Sequence, residues 1–244
     1  MYHCEVNPPQ ILIAVLSMGV GALLQGVTGL GLNLFAAPIL IMVQPRLVPG
    51  PILAAALLLT VMMTLRDRTG IDLRGVGWMA AGMLPGTLLA SFLLPVIPHK
   101  TLALVLGSLV LAGVLLSLTG LRFPPKRGVL LLAGFISGLG GTLASIGGPP
   151  VALVNQDMEP RRLRATLSGY FILSGITSLA ALAPAGRMGA LEAGLALWLF
   201  PGVILGFLCS SLLITRLRGS ATRYVLLALS GLSALVLILQ QLLG

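Results

Sequence analysis

Residues 11–44 form an apolar stretch that is too long to be one simple membrane helix and too interrupted to be a straight one. At ~1.5 Å per residue, a helix of this length would reach about 51 Å, against a hydrocarbon core of ~30 Å. Inside it lies Gly26-Val27-Thr28-Gly29-Leu30-Gly31-Leu32-Asn33, with Pro38 shortly after. A second stretch, residues 129–156, is also over-long and has a sharper interruption, Thr142-Leu143-Ala144-Ser145-Ile146-Gly147-Gly148-Pro149-Pro150. Two glycines followed by two prolines cannot continue a helix, because proline lacks the N–H donor and clashes with the preceding turn. In lipid, broken backbone is tolerated only where protein or a water-filled cavity surrounds it. Both breaks are therefore expected to face the interior of a bundle.

The rest of the chain fits a membrane bundle. Of its 244 residues 57% are hydrophobic and 9% charged, where a soluble domain carries roughly 25% charged residues. The fold class expected is an all-α polytopic membrane protein. Six further apolar segments are expected at residues 52–65, 76–94, 101–118, 163–182, 190–214 and 221–242. No basic region precedes the first segment, so it is expected to be retained rather than cleaved.

The two halves repeat features in order. Gly26 and Gly29 match Gly138 and Gly141 at an offset of 112, and Leu84-Pro85-Gly86 matches Phe200-Pro201-Gly202. This order suggests a duplication: residues 1–121 as a first membrane repeat, 122–128 as a basic linker, and 129–244 as a second repeat.

Charge decides between two topologies. If both over-long stretches cross the membrane once, the loops carry 7 basic residues on one side and 8 on the other. If each instead enters, turns at its break and returns, the clusters at Arg66, Arg122, Arg161 and Arg216 share one side with 12, leaving only Arg46, Lys100 and Arg187 opposite. The positive-inside rule favours the second arrangement. Each repeat is then a re-entrant hairpin plus three transmembrane helices. The odd number of crossings inverts the second repeat, and both termini face away from the cytoplasm. Paired breaks in inverted repeats are where transporters place their substrate sites.

Several classes are excluded or disfavoured. The net charge of +9 resides in loops and segment ends, which reads as membrane orientation beside anionic lipid rather than nucleic-acid binding. Cys4 and Cys209 form no redox pair, and His3 and His99 lack partners at metal spacing. No metal site, cofactor or catalytic group is expected. An enzyme would need an acid–base pair or an activated nucleophile, and the segments offer hydroxyls without a base.

A helix restarting after a break presents unpaired N–H groups and a partial positive charge, which attract anions. Asn33 and Ser145 are of the capping types, and Pro149 and Pro150 suit a first turn. The lining expected for an anion site is Gln25, Thr28, Gly29, Gly31 and Asn33 at the first break. At the second it is Thr142, Ser145, Gly147, Gly148 and Pro149, with Thr166 and Ser168 on the following segment. Each group has an alternative: the glycines as close-packing positions, Asn33 as a cap alone, and Thr166 and Ser168 as hydroxyls bonded to their own helix. Gly82 and Gly86 suit a small-residue seam. The basic group Arg161, Arg162 and Arg164 reads as an orientation signal, with a gate or a lipid contact as the lesser option.

The run Gly21-Ala22-Leu23-Leu24-Gln25-Gly26-Val27-Thr28-Gly29-Leu30-Gly31 followed by Ala37-Pro38 resembles the first-half signature of the TauE/SafE sulfite and organosulfonate exporter family. Gly138 to Pro150, then Leu163-Arg164-Ala165-Thr166-Leu167-Ser168-Gly169-Tyr170-Phe171, resembles the second. The resemblance covers nearly the whole chain. It departs at Leu30, where many relatives have an aromatic residue, and at Asn33, where many have a small one. It implies a bacterial inner-membrane permease for small sulfur-containing anions, mostly outward. The expected partners are a small anionic solute and the lipid bilayer, with a homodimer among the open assembly states and no nucleic acid. A non-transporting assembly or sensor subunit and a membrane-embedded enzyme are the alternatives.

Overall fold

The computed structural model describes residues 8–119, 123–214 and 220–243. His3, Cys4, Arg122, Arg216 and Arg218 lie outside them. The described residues form ten α-helices and one 3-10 turn, without a strand. The helices are α1 (Pro8–Thr28), α2 (Leu32–Val43), α3 (Gly50–Arg66), α4 (Leu73–Leu93), α5 (His99–Leu118), α6 (Arg127–Ala144), α7 (Gly148–Val154), α8 (Pro160–Leu182), α9 (Ala190–Leu213) and α10 (Ser220–Leu243). Seven of them, α1, α4, α5, α6, α8, α9 and α10, contain stretches long and apolar enough to cross a membrane. Large apolar side chains such as Leu88, Phe92, Leu205 and Leu212 cover the outside, while Met18, Leu32, Leu40, Ile52 and Leu59 are fully buried.

Both over-long stretches fold back on themselves. Gln10 Nε2 donates to Val43 O at 3.3 Å, and Gly21 lies against Leu32, so α2 runs antiparallel to α1 from tip to base. In the second hairpin Gly147 lies against the Ser137 backbone, and Asn155 reaches Met79 beside Gly134, so α7 returns along α6. α2 has 12 residues and α7 only 7. The helix ends correspond at a different offset from the glycine match: α1 ends at Thr28 and α6 at Ala144, and α2 begins at Leu32 and α7 at Gly148, which is 116 in both cases rather than 112. This pairs Gly29 with Ser145 and Gly31 with Gly147.

Each hairpin packs mainly on a helix from the other half of the chain. α1 runs parallel to α9, with Gly19 against Gly202 and Gly206 against Gly19 and Ala22. α6 runs parallel to α4: Gly82 meets the Leu131 carbonyl, Gly86 that of Phe135, Gly134 that of Met79 and Gly138 that of Met83. A Cβ at any of these four α4–α6 positions would overlap a backbone atom, so the seams exist only because these residues are glycine. The expected Gly82/Gly86 seam is present. Gly194 on α9 has open space beside it.

These pairings sort the helix ends. One end of the bundle holds the last turns of α1, α3 and α9 and the first turns of α4, α6 and α8, together with Arg66, Arg68, Arg74, Arg127 and the Arg161–Arg164 group. We call this the basic end. The first break lies towards it, and the second lies towards the opposite end, at the level of Thr87 on α4.

Candidate functional site

The first break spans three residues. Gly29 (φ 94°) and Gly31 (φ 136°) adopt backbone angles that side chains disfavour. Asn33 does not cap the new helix. The N-cap position is Gly31, and Leu32 N is satisfied instead by Gln25 Oε1 at 3.0 Å, from the last turn of α1. Thr28 turns inward on its own helix, its hydroxyl 2.8 Å from Leu24 O, and accepts from Leu30 N at 3.4 Å.

The second break is closed by its own backbone. Ser145 is left-handed (φ 62°) and ends α6 rather than starting α7. Its N–H and that of Ile146 both reach Gly140 O, a carbonyl with two lone pairs to offer. Gly147 takes the N-cap position of α7, and the prolines follow in its first turn. Thus the capping expectation fails at both Asn33 and Ser145.

What Asn33 does instead is join the breaks: its Nδ2 donates to Ser145 O at 2.7 Å. Ser145 Oγ in turn donates to Pro49 O at 3.2 Å. Asn33 Oδ1 is buried and has no hydrogen-bond partner among the described residues. Around this bridge lies a small cavity of about 60 Å³, several times the ~10–15 Å³ that one water needs. Gln25, Gly31, Asn33, Ser145, Gly147 and Gly148 line it, as the sequence suggested.

The other six expected residues sit elsewhere. Gly29 packs against Arg164, and Pro149 lies against Gly113 of α5. Thr142 shares a buried hydroxyl cluster with Ser178 (2.9 Å) and Thr87 (3.4 Å). Thr166 accepts from Asp72 N at 3.1 Å. Ser168 is buried with its hydroxyl unpartnered among the described residues. Thr28 faces its own helix end. Conversely, α3 contributes Leu53, Ala56, Leu57 and Thr60, and α8 contributes Phe171, Ser174 and Gly175. The available signal for these was Thr60 and Ser174, polar residues on helix faces at three- and four-residue spacing.

No Lys, Arg, Asp or Glu lines the cavity among the described residues. A compact charged group lies at the basic end. Asp67 Oδ2 lies 3.3 Å from Arg164 Nε and 3.4 Å from Arg66 Nη2. Arg66 Nη2 also donates to Gly26 O at 2.6 Å, and its Nη1 reaches Ser210 and Ser211 on α9 at 3.2 and 3.1 Å. Its guanidinium stacks 5.0 Å from the Phe207 ring centroid. The side chain of Arg164 is only 4% exposed. Arg164 is thus a buried partner of Asp67, a contact the sequence did not suggest, while Arg161 and Arg162 stay exposed.

The cavity joins two backbone breaks, is walled by apolar and neutral polar groups, and contains no acid–base pair. It can hold a small solute by hydrogen bonds and dipoles. No curated protein and no solved structure matches the chain. The family model described as "Sulfite exporter TauE/SafE" matches residues 13–237, nearly the whole length. The chain is a multi-pass membrane protein and belongs to the sulfite exporter TauE/SafE family, a family of transporters rather than enzymes.

Proposed function

We propose that this protein is a secondary transporter that exports sulfite or a related small sulfur-containing anion, bound between the two helix breaks. The observation that carries this is the Asn33 bridge. One side chain ties the two breaks together at the cavity wall and leaves its Oδ1 buried without a partner among the described residues. An unsatisfied buried acceptor of this kind has a cost of about 1–3 kcal/mol, and a bound water or a protonated oxyanion such as bisulfite supplies the missing donor. The start of α2 points its dipole into the same space. Neutral groups suit a solute that must leave again, because a lysine or arginine in the cavity would hold an anion too firmly for turnover.

The same reading makes the two halves inverted repeats in an inner membrane, with the basic end cytoplasmic and both termini on the other side. Support comes from the parallel α1–α9 and α4–α6 seams and from the segregation of basic residues. Single cysteines at Pro124 and Pro160 are expected to label from the same, cytoplasmic face. Labelling from opposite faces overturns the topology.

The decisive experiment is flux of labelled sulfite into liposomes carrying the purified protein, with unlabelled thiosulfate, sulfoacetate, taurine and sulfate as competitors. Saturable flux that is blocked by one of these, and weakened by Asn33→Leu or Ser145→Leu with folding intact, is the expected result. Absence of flux for every sulfur anion, under both a potential and a pH gradient, overturns it.

A further inference from the structure

On α3 and α8 the lining of the cavity stops at Thr60 and Phe171. α3 and α8 run antiparallel beneath it towards the basic end: Leu57 packs on Gly175 at the cavity level, and Asp67 meets Arg164 at the far end. Seven residues on from Leu57 is Thr64, and seven back from Gly175 is Ser168, so helical register sets both on the shared seam at one level. The oxygens of both are buried, and neither has a hydrogen-bond partner among the described residues. A helical Thr or Ser ordinarily returns its hydroxyl to the carbonyl one turn back. Two on facing helices that both fail to do so leave two donors turned into a dry seam.

Beyond them the seam ends on two arginines and one aspartate. The group carries one net positive charge, and Arg66 Nε is also buried without a partner among the described residues. Buried arginines outnumbering their acids is a costly arrangement, and it is the arrangement that an incoming anion relieves.

We propose that the α3–α8 seam is the basic-end passage of the transporter, in which Thr64 and Ser168 donate hydrogen bonds to a small sulfur oxyanion and Arg164 receives it by exchanging the Asp67 carboxylate for it. This rests on the anion-transport reading above. Asp67 is the resting occupant of Arg164, and the translocated oxyanion displaces it, with charge on the pair restored when the anion leaves. Gly29 lies against Arg164 Cγ and Cα, so the exchange occurs directly against the tip of the first hairpin, whose other face lines the cavity through Leu30 and Gly31.

The test uses Thr64→Val and Ser168→Ala, which remove a hydroxyl with little change in volume. Sulfite flux into proteoliposomes is measured together with the sulfite-induced rise in thermal unfolding temperature, which reads binding at the cavity. Each variant is expected to lose flux roughly fivefold or more, the worth of one hydrogen bond, while keeping the sulfite-induced shift of the wild type. Arg164→Lys is expected to lie between the wild type and Arg164→Gln in flux. Unchanged flux in both hydroxyl variants overturns the passage and leaves the transport function standing. Flux and thermal shift lost together in a folded variant assigns these hydroxyls to the cavity site and also overturns it. A wild type with neither flux nor shift removes the transport reading itself, and the passage with it. Should Ser168→Ala fail to fold, Thr64→Val decides alone.

Discussion

At the first break the chain turns through two left-handed glycines, and the flanking helix ends are fastened by side chains, one from α1 itself and two from α3 and α8. Arg66 reaches from α3 to Gly26 O, Gln25 holds Leu32 N, and Arg164 packs on Gly29. At the second break one left-handed serine suffices. Gly140 O gathers two N–H groups, prolines start the next helix, and the polar neighbours are neutral hydroxyls, Thr87, Thr142 and Ser178. One break is held by side chains, two of them charged and distant, and the other mainly by its own backbone, with Asn33 bonded to Ser145 O. Two glycine-rich interruptions can therefore differ in the main contacts that hold them. The bundle has acquired one end whose geometry depends on buried charge and one whose geometry does not.

The comparison breaks most visibly at Asp67. Asp67→Leu leaves Arg66 and Arg164 buried without their shared acceptor, and a loss of about 3–5 kcal/mol in unfolding free energy is expected. Ser178→Ala, at the opposite end, is expected to cost about 1 kcal/mol. Equal losses in detergent-solubilised protein would erase the asymmetry. Next in size is Gln25→Leu, which strands Leu32 N inside the protein and is expected to lower stability by about 1–3 kcal/mol. No change would mean that the first break closes without side-chain help. Gly29→Ala follows, at about 1–2 kcal/mol for the left-handed backbone, plus crowding against Arg164. The smallest effect belongs to Ser145→Gly. Relief of its left-handed strain offsets the lost bond to Pro49 O, and stability is expected to stay within about 1 kcal/mol of wild type. A large loss there would show that the second break also leans on a side chain.

Much of the fold was legible because membrane burial simplifies the code. Apolar runs marked the helices, and Gly-Gly-Pro-Pro marked the turn between α6 and α7 to within a few residues. The loop charges pointed to hairpins, and the antiparallel α1–α2 and α6–α7 pairs agree with that folding back. The site was legible only where the breaks themselves line it. Residue type named Asn33 and Ser145 but not their roles, since capping preference is local and the Asn33–Ser145 bond spans 112 residues. Thr60, Phe171 and Ser174 enter through helix packing, which a single sequence does not encode locally. The pairing of Arg164 was not legible for a related reason. An arginine five residues into α8 looks like any flanking charge until Asp67, 97 residues away, is found beside it.

The glycine seam between α1 and α9 bears on how the molecule is made. Gly19 and its contact Gly202 are separated by 183 residues of chain. At about 5–20 residues per second of synthesis, α1 waits roughly 10–40 s for the helix it packs against. During that time its small-residue groove faces lipid or the insertion machinery, while α6 finds α4 already in place. A nascent chain halted before α9 therefore holds one completed seam and one open groove, and quality control acting on membrane proteins has a specific surface by which to distinguish the unfinished chain from the finished one.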